Sequence, residues 1–97
     1  MKQINWDINK NLLLKKERDI SFEDVIYYIE NEKIIDILEN PNKTKYSNQR
    51  IFVIQINDYV YLIPFVENDQ EIFLKTIIPS RKATKKYKGE DNEKENY

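Results

Sequence analysis

Arg81, Lys82, Lys85, Lys86 and Lys88 lie within nine residues, Ser80 to Lys88, with no acid among them. That composition binds phosphates through charge-assisted hydrogen bonds and the release of counterions. The apolar run Ile77-Ile78 leads into this segment through Pro79 alone, so an ordered element delivers the charge to a fixed place. A solvated terminal segment is the plain alternative.

Much other chemistry is closed to this chain. It has no cysteine and no histidine, which removes the thiolate nucleophile, the zinc knuckle, the commonest general base and the serine-histidine pair. The single glycine, Gly89, rules out the glycine-rich loops that cradle nucleotide phosphates. Catalysis would fall to Lys, Arg, Tyr, Asp, Glu or a hydroxyl. Asp36 and Glu39 are the nearest thing to a metal-binding carboxylate pair, but their spacing within a strand sends them to opposite faces.

The chain of 97 residues is expected to form one domain over residues 1–88, followed by an acidic, disordered tail over 89–97. Its formal net charge of -1 conceals an asymmetry. Residues 17–39 hold eight acids against Arg18 and Lys33, while residues 40–88 hold nine cations against four acids. The N-terminus is polar from Lys2, and no apolar run approaches the roughly 20 residues that span a bilayer, so a cytoplasmic protein is expected.

The elements that would position the cations follow from periodicity. Asp7 caps a first helix over Ile8 to Arg18, with Ile8, Leu12, Leu13 and Leu14 as its apolar stripe and Lys15, Lys16 and Arg18 in its last turn. Ser21 opens a second helix with Asp24 completing a capping box, and Phe22, Val25, Ile26 and Ile29 form its core face. Strands are expected at Ile34 to Leu38, Arg50 to Ile56, Tyr59 to Val66 and Glu71 to Ile78, the last three joined by short turns into an antiparallel meander. Pro64 marks an edge or a bulge. The expected class is α+β: two N-terminal helices packed on a curved antiparallel sheet of three to four strands, with a short basic C-terminal helical segment.

Three words of the sequence carry a resemblance. Trp6-Asp7 followed by Lys10, then Ile20-Ser21-Phe22-Glu23, then Ile77 to Thr84 together resemble the BrnT family of ribonuclease toxins from bacterial toxin-antitoxin pairs, over about Gln3 to Lys88. Glu17-Arg18-Asp19 stands where that family has Lys-His-Gly, and Gln49-Arg50 stands where it has Glu-Arg. The resemblance implies a fold like the RelE ribonuclease toxins and an RNA substrate, whose cleavage through its own 2′-hydroxyl requires no metal, so no cofactor and no metal are expected. Its implied partner is an antitoxin with a ribbon-helix-helix DNA-binding domain.

RNA carries its own nucleophile, the 2′-hydroxyl, so an enzyme need only align it, move two protons and stabilise added negative charge. Arg50 and Arg81 suit the charge-stabilising role because guanidinium stays protonated and offers a fork to phosphate oxygens. Lys82, crowded by cations, is a candidate proton carrier near neutrality, and Glu23 or Tyr46 a candidate acceptor. Lys43, Lys45 and Lys85 are the expected phosphate contacts, with Tyr46 or Tyr87 stacking a splayed base. Ser80 is expected to cap a terminal helical turn. The alternative is a non-catalytic module that binds RNA or an antitoxin-like partner by charge and stacking.

Overall fold

Two caps set the helices. The Asp7 carboxylate accepts from the Asn9 and Lys10 N–H groups at the head of α1 (Ile8–Arg18). Ser21 and Asp24 cap each other at the head of α2 (Phe22–Glu30), a reciprocal box that satisfies two otherwise orphan donors. In the computed structural model, which describes residues 2–42, 44 and 48–87, these helices follow a strand β1 (Gln3–Trp6). They precede β2 (Ile34–Glu39), β3 (Gln49–Ile56), β4 (Tyr59–Glu67), β5 (Glu71–Leu74), β6 (Ile78–Pro79) and α3 (Arg81–Tyr87). No helix among the described residues is long and apolar enough to cross a membrane.

The arrangement differs from two helices on an antiparallel sheet of three to four strands. The sheet has six strands in the order β1-β5-β4-β3-β2, with β6 beside β4, and it is mixed: β1 runs parallel to β5. Gln3-Ile4-Asn5-Trp6 is only four residues long, too short to stand out by alternation. A parallel pair also needs a long crossover, and everything from α1 to β4 supplies it. The meander β3-β4-β5 is antiparallel, as its short turns require.

The strand expected over Glu71 to Ile78 is divided. Between Leu74, opposite Phe65, and Ile78, opposite Leu62, four steps along one strand face three along the other, so a bulge separates β5 from β6. The Pro64 carbonyl accepts from Lys75 N–H at 2.8 Å, which directs the proline nitrogen toward the same place. The one residue of central strand β4 without an N–H thus faces the break in the ladder.

Two cores flank the sheet. On one face Leu14, Ile20, Phe22 and Val25 from the helices meet Phe52, Ile54, Ile63, Phe65, Leu74 and Ile77. Phe52 and Phe65 stack at 4.0 Å between centroids, and Trp6 stacks on Phe22 at 5.8 Å. The buried Phe22, Phe52 and Phe65 each contribute roughly 1.5–3 kcal/mol through burial. On the opposite face Val53 and Val60 pack against Ala83 of α3.

Helix α1 buries a different stripe from the one its leucines suggest. Ile8, Leu12 and Leu13 are exposed, while Asn11 and Leu14 face inward. Asn11 holds that place because both ends of its amide are bonded: Oδ1 accepts from Phe22 N–H at 2.7 Å and Nδ2 donates to Glu23 at 2.9 Å. A half-polar inward stripe leaves no apolar period to detect.

Candidate nucleic-acid interface

Helix α3 is tied to the sheet at both ends. Ser80 caps it, its hydroxyl accepting from Ala83 N–H at 3.0 Å. The Ser80 N–H donates to the Val60 carbonyl at 3.0 Å, and Val60 N–H donates to the Thr84 hydroxyl at 2.9 Å. Thr84 in turn donates to the Ser80 carbonyl at 2.7 Å. Both polar groups of the Val60 backbone are thereby bonded to the helix, one at its cap Ser80 and one at Thr84 in its middle. At the far end the Tyr87 hydroxyl donates to Asp36 of β2 at 3.0 Å. Burial first, and then the Asp36 carboxylate, raise the pKa of that phenol, which keeps it a neutral donor.

With Ala83 and Tyr87 turned inward, the remaining positions present charge. Arg81, Lys82, Lys85 and Lys86 are all exposed. At helical spacing they form two rows, Arg81 with Lys85 and Lys82 with Lys86. The second row borders a shallow groove of about 160 Å³ whose floor is Leu38, Leu62 and Ala83. Lys86 also lies 5.1 Å from the Tyr87 ring centroid. Among the described residues the ion pairs join Lys2 and Arg50 to Glu67, and Lys15 to Glu23; none involves α3. Four cations therefore face solvent from one braced element.

The sequence candidates do not all gather here. Arg81, Lys82, Lys85 and Tyr87 share α3, but Arg50 stands on the other face of the sheet. Its guanidinium is paired with Glu67 and lies 5.3 Å from the centroid of the Phe65 ring, on the side covered by α1 and α2. Glu23 is on that side too. The Asn11 amide holds its carboxyl below the usual carboxylate range, with Lys15 at 3.6 Å assisting, so it is a fixed anion and not a proton acceptor poised near neutrality. Lys43, Lys45 and Tyr46 lie outside the described residues.

Lys86 belongs to the cationic run that the sequence singles out, whereas Thr84 and Asp36, which brace the helix, were not expected in this role. The pairing of Asp36 with Tyr87, 51 residues apart, has no signal in the sequence. No family model, no curated protein and no solved structure matches the chain.

Proposed function

We propose that the protein is the RNA-directed toxin of a toxin-antitoxin pair, and that α3 is the element with which it grips RNA. The observation that carries this reading is the set of four exposed cations on α3, none of them ion-paired among the described residues, on a helix fastened to the sheet at both ends. A rigid support lets the cations meet a phosphate chain without first being ordered, which lowers the entropic cost of binding. The likeness of Ile77 to Thr84 to the BrnT toxins adds the biological role.

In this reading the 2′-hydroxyl of the bound RNA gives its proton to water and attacks the adjacent phosphorus, forming a 2′,3′-cyclic phosphate as the bond from phosphorus to the 5′-oxygen breaks. Arg81 supplies a permanent positive fork to the non-bridging oxygens, and Lys82 carries a proton toward the leaving 5′-oxygen. An antitoxin with a ribbon-helix-helix domain would silence the protein by covering α3.

One observation favours a second reading, a non-catalytic module that binds RNA or a partner. Arg50 and Glu23, which were to complete the reaction, are engaged on the opposite side of the sheet. Induced expression separates the two: growth arrest with RNA degradation, lost in Arg81→Ala, supports the enzyme. RNA binding by the purified protein without arrest or cleavage supports the module.

A further inference from the structure

Among the described residues β1 ends the sheet, with an open edge. Its Gln3 N–H donates to the Gln70 carbonyl at 3.3 Å, so by strand alternation the N–H and C=O of Ile4 point away from β5. Beside this edge, on the helix side, lies a cleft of about 650 Å³. Ile4 and Trp6 of β1, Ile72 of β5, and Ile26 and Ile29 of α2 line it, all only partly buried. Its volume falls within the roughly 300–1,000 Å³ typical of ligand clefts.

The mouth of the cleft is acidic. Glu30 and Glu32 stand on the rim, exposed and outside the ion pairs of the described residues. Lys2, on the same rim, is already engaged with Glu67 at 2.6 Å. The uncompensated charge there is negative.

We propose that this edge and cleft take up an extended segment of a partner protein as an additional strand beside β1. The occupant places aliphatic side chains in the cleft and a lysine or arginine against Glu30 and Glu32. An added strand sends alternate side chains to the same face as Ile4 and Trp6, which is where the cleft opens, while its backbone satisfies the outward groups of Ile4. Charge selects among occupants. A second copy pairing edge to edge about a twofold axis would bring the two acidic rims toward each other. The chain's own C-terminal segment, with Glu90, Asp91, Glu93 and Glu95, would be repelled. The inference does not depend on the RNA reading, because the cleft and α3 lie on opposite faces of the sheet.

Fluorescence anisotropy on the full chain tests it with two labelled peptides of alternating isoleucine and threonine, one ended by lysines and one by glutamates. The expected result is saturable binding of the lysine peptide below about 1 mM and weaker binding of the glutamate peptide. The exposed double variant Glu30→Lys with Glu32→Lys should weaken the lysine peptide by about tenfold or more and reverse the preference. Ile4→Pro, which removes an outward N–H together with an aliphatic side chain of the cleft, should abolish binding with the thermal transition retained. Should Ile4→Pro fail to fold, the double variant alone decides. Absence of binding, equal binding of both peptides, or binding indifferent to the double variant would overturn the proposal, as would full binding by a folded Ile4→Pro.

Discussion

Arg50 of β3 and Arg81 of α3 belong to opposite sides of one sheet: the first is exposed beside the Phe65 ring on the face that carries α1 and α2, the second opens the helix that packs on Val53 and Val60. They do not share a groove, and their replacements should separate cleanly. Arg50→Ala should leave RNA affinity unchanged within about twofold, while costing about 1 kcal/mol of stability from its partly exposed pair with Glu67 and its contact with Phe65. Arg81→Ala should do the reverse, weakening RNA severalfold with stability intact. Anisotropy and urea denaturation on both variants check this, and equal loss of RNA affinity would refute the assignment of the site to α3.

The electrostatic character of α3 predicts a salt dependence. Four cations on single-stranded RNA imply a slope of log affinity against log salt of roughly -3, at about -0.7 per contact. Replacing Lys82 and Lys86 together by alanine should reduce its magnitude by about half. Titrations of an unstructured RNA at several salt concentrations read both numbers, and a wild-type slope near zero would remove charge from the account.

What the sequence disclosed was local. The caps Asp7, Ser21 and Ser80 each announce a helix because a short polar side chain bonds N–H groups two or three residues away. The meander was legible from its turns. β1 was not, since a four-residue strand is stabilised by a parallel partner nearly 70 residues distant and not by its own pattern. The inward face of α1 was hidden for a related reason: Asn11 is core because of Phe22 and Glu23, and polar residues enter cores through partners that periodicity does not register. The separation of Arg50 from α3 follows from the side of the sheet on which the final helix crosses back. A stretch of basic residues carries no information about that.

Glu67 makes a pH prediction. The hydrogen bond from Lys2 is the main cause that holds its carboxyl below the usual range, and Arg50 adds to it. A depressed folded-state pKa contributes stability that is present above the unfolded value, 4.5, and is lost as pH falls through the folded one. Glu67→Gln should therefore be less stable than wild type near neutrality, by no more than about 1 kcal/mol because both cations are partly exposed. The difference should shrink as pH falls below 4.5 and vanish once the pH is below the folded-state value. Denaturation curves across that range check the sign; a gap that widens in acid would contradict it.

Asn11 is the sharpest test of the helical layer. It is 5% exposed, and its two amide ends connect α1 to the first two residues of α2. Asn11→Ala leaves the buried Phe22 N–H without an acceptor, which should cost about 1–3 kcal/mol. Asn11→Asp restores an acceptor for Phe22 but turns the second oxygen toward the Glu23 carboxylate, so near neutrality two anions meet where a hydrogen bond had been. One of the pair should then titrate above its unfolded value, contributing stability that is present below that value and lost as pH rises through the raised one. The aspartate variant should accordingly regain stability relative to wild type on acidification, when one carboxyl can donate to the other, whereas the alanine variant should show no such recovery. Urea denaturation of the three proteins at about pH 7 and about pH 4 makes the comparison. If the aspartate variant follows the alanine variant at both, the contact between Asn11 and Glu23 does not hold the helices together.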